Sequence, residues 1–184
     1  MSFHAANIPV VETERLRLRG FRMDDFAAVA AYKADPEVMK FTGGAEDLLH
    51  AWKSFCSMTG SWAMLGHGVF CVAVLETDEC IGHCGPINPP GWPEPEIGYT
   101  LSRGAQGKGY ASEAAGAALR FAYEKLGWRT AISLIDKDNT ASQNVARRLG
   151  ARHEKTQVEV CGFTADIWRH LSPEDFLKSN PTMH

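Results

Sequence analysis

Three groups of residues in this chain have the types and spacing to do chemistry. The turn Gln106-Gly107-Lys108-Gly109-Tyr110-Ala111 sets two glycines just ahead of a long amphipathic stretch made by Ala111, Ala114, Ala115, Ala118, Leu119, Ala122 and Leu126. The first N–H groups of a helix have no internal partner and lie at the positive end of its dipole. Glycine lets an anion approach those groups closely, so the turn suits a pyrophosphate. Glu96 opens the strand that leads into the turn. A carboxylate enclosed there would have a raised pKa, which suits a general base. His83, on the preceding strand, is the substitute base or a plain structural histidine. Asn139-Thr140-Ala141-Ser142 begins a second helix, where Asn139 could bind a ligand or simply cap the helix end.

Other nucleotide sites use the same physics. A Rossmann fingerprint needs a third glycine at position 112, where Ser112 stands, although Asp136 could mimic its ribose-binding acid. A P-loop needs Ser or Thr after its lysine, and Lys108 is followed by Gly109. A bare Gly-x-Gly would be no more than a flexible turn needing positive φ.

The elements that must position these groups follow from the hydrophobic pattern. Residues 14–21 alternate, with Leu16, Leu18 and Phe21 against Arg15, Arg17 and Arg19, and predict a strand with one buried face. Asp24 is placed to cap a helix from Asp25. Leu48, Trp52, Phe55 and Cys56 mark a second helix. Residues 69–75 predict a buried strand and residues 80–87 its partner, followed by a proline-rich loop around Trp92. Then come a strand at 96–101, the glycine turn and long helix, a strand at 129–135, and a short helix from Asn139 to Gly150. A hairpin around 154–160 and 165–170 follows, with a last turn at 173–178 and a frayed tail after Asn180. The order predicts a mixed α/β (α+β) layer rather than a regular βαβ repeat.

Composition narrows the partners. The chain has 184 residues, 45% of them apolar, and a formal net charge of -3. That fits one domain, residues 1–184 with a core at about 10–171. Without a basic excess, nucleic acid is not a favoured partner. No apolar run approaches the roughly 20 residues of a membrane span, and no signal peptide is visible. A soluble, cytoplasmic protein is expected, without membrane association, as monomer or homodimer. Five cysteines, an odd count at irregular spacing, predict reduced core thiols and no metal.

The glycine turn, read with its flanks, resembles that of the GNAT acetyltransferase superfamily, in the branch that includes ribosomal-protein N-terminal acetyltransferases. Gln106, Gly109 and Ala111 match the family turn Gln/Arg-x-x-Gly-x-Gly/Ala. The runs Gly107 to Ala114, Asn139 to Ala151, Glu12 to Arg19 and Asp35 to Met39 are similar to that branch. The resemblance implies a mostly antiparallel bent sheet, flanked by helices, whose central strands splay apart to admit acetyl-CoA. Tyr99, Thr100 and Leu101 would then contact the pantetheine arm. Gln106, Gly107, Lys108, Gly109, Tyr110, Ala111 and Ser112 would hold the pyrophosphate, and Asn139 and Ser142 would approach from the other side.

Transfer of acetyl to an amine needs a free lone pair, hence a base, and a donor near the thioester oxygen and sulfur. Glu96 is the candidate base and Ser142 the candidate acid or sulfur-side donor. The sequence departs from two family patterns. Ala146 occupies the place of a tyrosine that donates to the thiolate in many members, and Leu134 that of a base glutamate in another branch. The acceptor is expected to be a primary amine, on a protein N-terminus or a small molecule. Its pocket would use the early helices and last hairpin, with Phe41, Trp52, Trp62, the Trp92 loop and the Cys161–Phe163 turn, unless these aromatics simply pack the core. The alternative is a non-catalytic acyl-CoA sensor or interaction module of the same fold.

Overall fold

The computed structural model describes residues 8–180. The tail expected after Asn180 lies outside them. Eight strands and five α-helices follow one another as β1 (Val11–Glu12), β2 (Leu16–Arg19), α1 (Phe26–Lys33), α2 (Leu48–Leu65), β3 (Phe70–Val74), β4 (Cys80–Ile87), β5 (Glu96–Leu101), α3 (Tyr110–Glu124), β6 (Ile132–Ile135), α4 (Thr140–Arg148), β7 (Arg152–Val160), β8 (Phe163–Arg169) and α5 (Pro173–Ser179). The strands form one sheet in the order β1-β2-β3-β4-β5-β6-β8-β7. Every pairing is antiparallel except β5 with β6.

Helices cover both faces of the first half of the sheet, which explains the continuous apolar run of β3. Successive side chains of a strand point to opposite faces. Phe70 and Val72 join the α3 core, while Cys71 and Ala73 pack with Val29, Tyr32 and Phe55 of α1 and α2. The buried face of α3 is mostly alanine, so the helix lies close against β4 and β5 and its first turn is fixed relative to the strand ends. Asp47 caps α2 by accepting from the His50 N–H at 2.8 Å, and Gly66 ends it in the left-handed conformation.

Several expectations change. Asp24 caps nothing. Instead Asp25 takes two bonds from the Arg19 guanidinium, at 2.7 and 2.9 Å, and one from the Arg22 N–H. Arg19 is therefore buried although the alternation set it with the solvent-facing residues, because a charge that is fully paired can leave water. Asp25, Cys71 and Cys80 offer atoms within 4.8 Å of one another. Both oxygens of that aspartate are already bonded to Arg19, whose charge opposes a cation there. Cys56 and Cys161 are exposed rather than core thiols. Trp62 is core: it packs on Phe70 and Phe121 and donates to the Val69 carbonyl at 2.9 Å. β6 is shorter than the 129–135 run, and the short edge strand β1 has no counterpart in the sequence reading.

Candidate active site

β5 and β6 run parallel but share one register pair, Glu96 with Ile132. The Ile132 N–H bonds the Pro95 carbonyl at 2.8 Å. Beyond that point side chains replace the backbone ladder. Glu96 Oε1 accepts from the Leu134 N–H at 3.1 Å, and the Ser133 hydroxyl donates to the Ile97 carbonyl at 2.9 Å. These two bridges wedge the strands apart, so their C-terminal halves open into a slot.

The two-residue repeat of β5 decides what faces the slot. The Ser102 N–H bonds Ile81 of β4, so the backbone groups of Ser102, Thr100 and Gly98 point toward β4. The Ile97 and Leu101 carbonyls instead meet the Ser133 hydroxyl and the Gln106 amide, on the slot side. Tyr99 lies between them, so its N–H and C=O also turn into the slot. Thr100 is placed with its main chain on the closed side.

At the end of β5 the chain makes a short turn and enters α3. Gly107 and Gly109 have φ of 75° and 85°, which favours glycine at both. The N–H groups of residues 107–112 have no protein acceptor among the described residues, and the first bond of the helix register is Glu113 N–H to the Gly109 carbonyl. Six successive donors thus surround one helix N-terminus. The buried Ser112 hydroxyl in the same turn also has no partner among the described residues. The arrangement fits a pyrophosphate. A clamp from the start of the chain holds it. Glu113 accepts from Thr13 Oγ1 at 2.6 Å, the Arg15 N–H at 2.8 Å and Arg15 Nε at 2.8 Å. The Arg15 guanidinium donates to the Lys108 carbonyl at 3.0 Å and lies over the Tyr110 ring. Thr13, Arg15 and Glu113 lie in the runs Glu12 to Arg19 and Gly107 to Ala114 that carry the resemblance, but nothing in the sequence joined the two runs into a clamp.

At the other end of the slot, the Glu96 carboxylate is buried at the apex. Burial pushes its pKa up to about 7, against the hydrogen bonds from Leu134 and from Trp92 Nε1, the latter at 2.7 Å. Trp92 belongs to the proline-rich loop, which is docked on the last hairpin by its contact with Phe163 and by two bonds between Glu94 and Arg169, at 2.5 and 2.7 Å. The sequence reading had Trp92 only as a pocket aromatic. Ser142, in the first turn of α4, stands beside the Tyr99 side chain of β5. Asn139 caps α4, with Oδ1 accepting from the Ser142 N–H at 3.1 Å; its amide N–H groups have no partner among the described residues. Ala146 is buried with Ile135, Ala151 and Trp168, in packing rather than in the slot.

His83 is on the opposite face, bonded through Nδ1 to the Tyr32 hydroxyl at 2.9 Å. Burial lowers its pKa to about 3, so it is neutral across the physiological range. Burial also pushes the Tyr32 phenol pKa well up, so this hydrogen bond joins two neutral groups. A groove formed by the loop before α2 and the first turns of α2 is lined by Thr42, Gly44, Glu46, Asp47, His50 and Lys53.

A slot between splayed strands thus ends in an anion cradle at a helix start. The chain matches the acetyltransferase (GNAT) domain over residues 15–152 and belongs to that family of acetyltransferases. An uncharacterized N-acetyltransferase, p20, of Bacillus licheniformis is 32% identical over 147 residues, covering 77% of this chain and 82% of that protein. FsC-acetyl coenzyme A-N(2)-transacetylase of Aspergillus fumigatus is 28% identical over 165 residues, 80% of this chain and 67% of that one. Among solved structures, an acetyltransferase from Agrobacterium tumefaciens is 35% identical with a TM-score of 0.82, covering 93% of this chain and 97% of that chain.

Proposed function

We propose that this protein is an acetyl-CoA-dependent N-acetyltransferase that moves an acetyl group to a primary amine, on a protein N-terminus or a small molecule, by direct attack with Glu96 as general base. The observation that carries the reading is the Glu96 carboxylate at the apex of the splayed strands, buried and shifted to about 7. A base is most useful when its pKa lies near the working pH, because it is then both ionised and able to hold a proton. The name of the Aspergillus relative, which couples acetyl coenzyme A to N-acetylation, supports the same cofactor and bond.

The residues divide the work along the slot. The donors of residues 107–112 and the Ser112 hydroxyl hold the pyrophosphate. Tyr99 main-chain groups and the Leu101 N–H pair with the pantetheine amides, as a neighbouring strand would. Bound acetyl-CoA supplies an activated thioester. Glu96, directly or through one water, takes the proton from the incoming amine. Ser142 donates a hydrogen bond on the sulfur side, and the free amide of Asn139 reaches the arm from α4. His83 is not the base in this reading, because burial lowers its pKa to about 3 and leaves it a poor proton acceptor. The acceptor enters over the α1–α2 face, past the groove at Glu46 and Asp47.

The test is a panel of small amines and short peptides with free N-termini, assayed with acetyl-CoA by release of free thiol. Amine-dependent release is expected. Tight acetyl-CoA binding with no turnover across the panel would make the chain a sensor and sink the proposal.

A further inference from the structure

The Tyr99 phenol is unexplained by a backbone role for Tyr99. Its hydroxyl oxygen is buried and has no hydrogen-bond partner among the described residues. A buried, unpaired hydroxyl is costly and uncommon, so its persistence calls for a reason. The side chain stands on the α3 face of β5 with Ile97 and Leu101, in the cluster that also holds Val145 of α4, and Ser142 one turn earlier on α4 is its polar neighbour. Two hydroxyls, one from β5 and one from α4, are thus neighbours, and neither closes a hydrogen bond to any other group among the described residues. Ala146, the place where a family tyrosine would serve the sulfur, is taken up in packing against Trp168.

We propose that Tyr99 is a positioning residue for the sulfur side of the reaction: its phenol donates to Ser142 Oγ, which turns the serine proton toward the sulfur that leaves. This rests on the acetyltransferase reading above. In the step, the amine nitrogen forms its bond to the acyl carbon and its proton passes to Glu96. The carbon–sulfur bond breaks with its electron pair going to sulfur. Ser142 donates a hydrogen bond to that thiolate, and Tyr99 donates to Ser142. The thiolate takes a proton from water after release, so neither hydroxyl need be ionised. Burial pushes the Tyr99 phenol up to about 12, against the Ser142 contact, so it remains a donor throughout the working range. Cys84 on β4, the titratable neighbour of this phenol, is held neutral by burial.

The reading predicts a property of the bound product that needs no acceptor. Coenzyme A itself is the probe, and its thiolate is followed by ultraviolet absorbance against pH while bound to the protein. The wild type should lower the thiol pKa of bound coenzyme A. Tyr99→Phe should reverse that by about tenfold in the thiolate-to-thiol ratio, one pKa unit, with coenzyme A affinity unchanged by calorimetry. Ser142→Ala should reverse it at least as far, and the double variant no further than Ser142→Ala alone. A fluorotyrosine at position 99, a stronger donor of the same shape, should lower the thiol pKa below that of the wild type. A Tyr99→Phe titration like the wild type rejects the role of Tyr99. Additive single effects reject its action through Ser142. If the wild type does not bind coenzyme A, both this inference and the proposed function fall. Normal binding with an unshifted thiol overturns the inference alone.

Discussion

At one end of the slot the groups proposed to face the ligand are main-chain N–H groups of one continuous stretch, residues 107–112. At the other end they are side chains of Glu96, Tyr99 and Ser142, drawn from β5 and α4 and braced by Trp92 from a loop between strands. The first end is local: two glycines and a helix start supply its donors, with only the Thr13 and Arg15 clamp coming from elsewhere. The second is assembled from elements distant in sequence. Backbone sites tolerate changes of side chain but not of φ, whereas an assembled site fails when a single side chain is altered. The two ends should therefore break differently.

The sharpest break is at the turn. Gly109→Trp forces a bulky residue to φ 85° beside the Arg15 guanidinium and fills the donor cradle. Acetyl-CoA binding should fall at least a hundredfold, about 3 kcal/mol, in calorimetry. Normal affinity would show that the donors of this turn do not hold the cofactor.

Glu96→Gln should leave affinity nearly unchanged and lower kcat by roughly a hundredfold or more. The pH profile separates causes. Only ionised Glu96 accepts a proton, so wild-type kcat/KM should rise with pH through about 7 and level off above it. The variant should lose that limb, and His83→Gln should keep it, because the His83 ring is already neutral there. A rising limb that survives in Glu96→Gln places the base elsewhere.

Glu113→Ala tests whether the turn relies on its clamp. It removes the bonds from Thr13 and Arg15, although the Thr13 hydroxyl keeps the Leu16 carbonyl and the Arg15 N–H is open to water, so the cost should be about 1 kcal/mol of stability. Acetyl-CoA affinity should drop a few fold while kcat at saturation holds. A stability loss without any affinity change would make the clamp a fold element alone. The smallest effect is expected at Asn139. Asn139→Ala removes the α4 cap, at about 1 kcal/mol in denaturant melts. A parallel loss of affinity would add ligand binding to the capping that the structure shows.

The local end was legible in the sequence, and so was most of the fold. β4 and β5 begin and end where their apolar runs predict, and α4 starts after Asn139 as its cap residue requires. Glu96 was picked out because it opens the strand that feeds the turn. What the sequence could not show depends on distance in space. Nothing in the run of charges around Arg15 says that it spans to Glu113, nearly a hundred positions away. Arg19 reads as a surface residue until Asp25 is beside it. Tyr99 reads as a strand aromatic until α4 brings Ser142 opposite. Asn139 illustrates the remaining ambiguity, since one residue type serves a cap and a ligand equally well.

The bridge from the Glu96 carboxylate to the Leu134 N–H has a practical consequence. Most strand amides are bonded to carbonyls, which carry the same charge at every pH. This one is bonded to a side chain that titrates. The chemical shift of the Leu134 amide should therefore move with pH as that carboxylate gains and loses its proton. The protein carries its own NMR indicator for the charge at the apex of the slot, readable without substrate and without turnover.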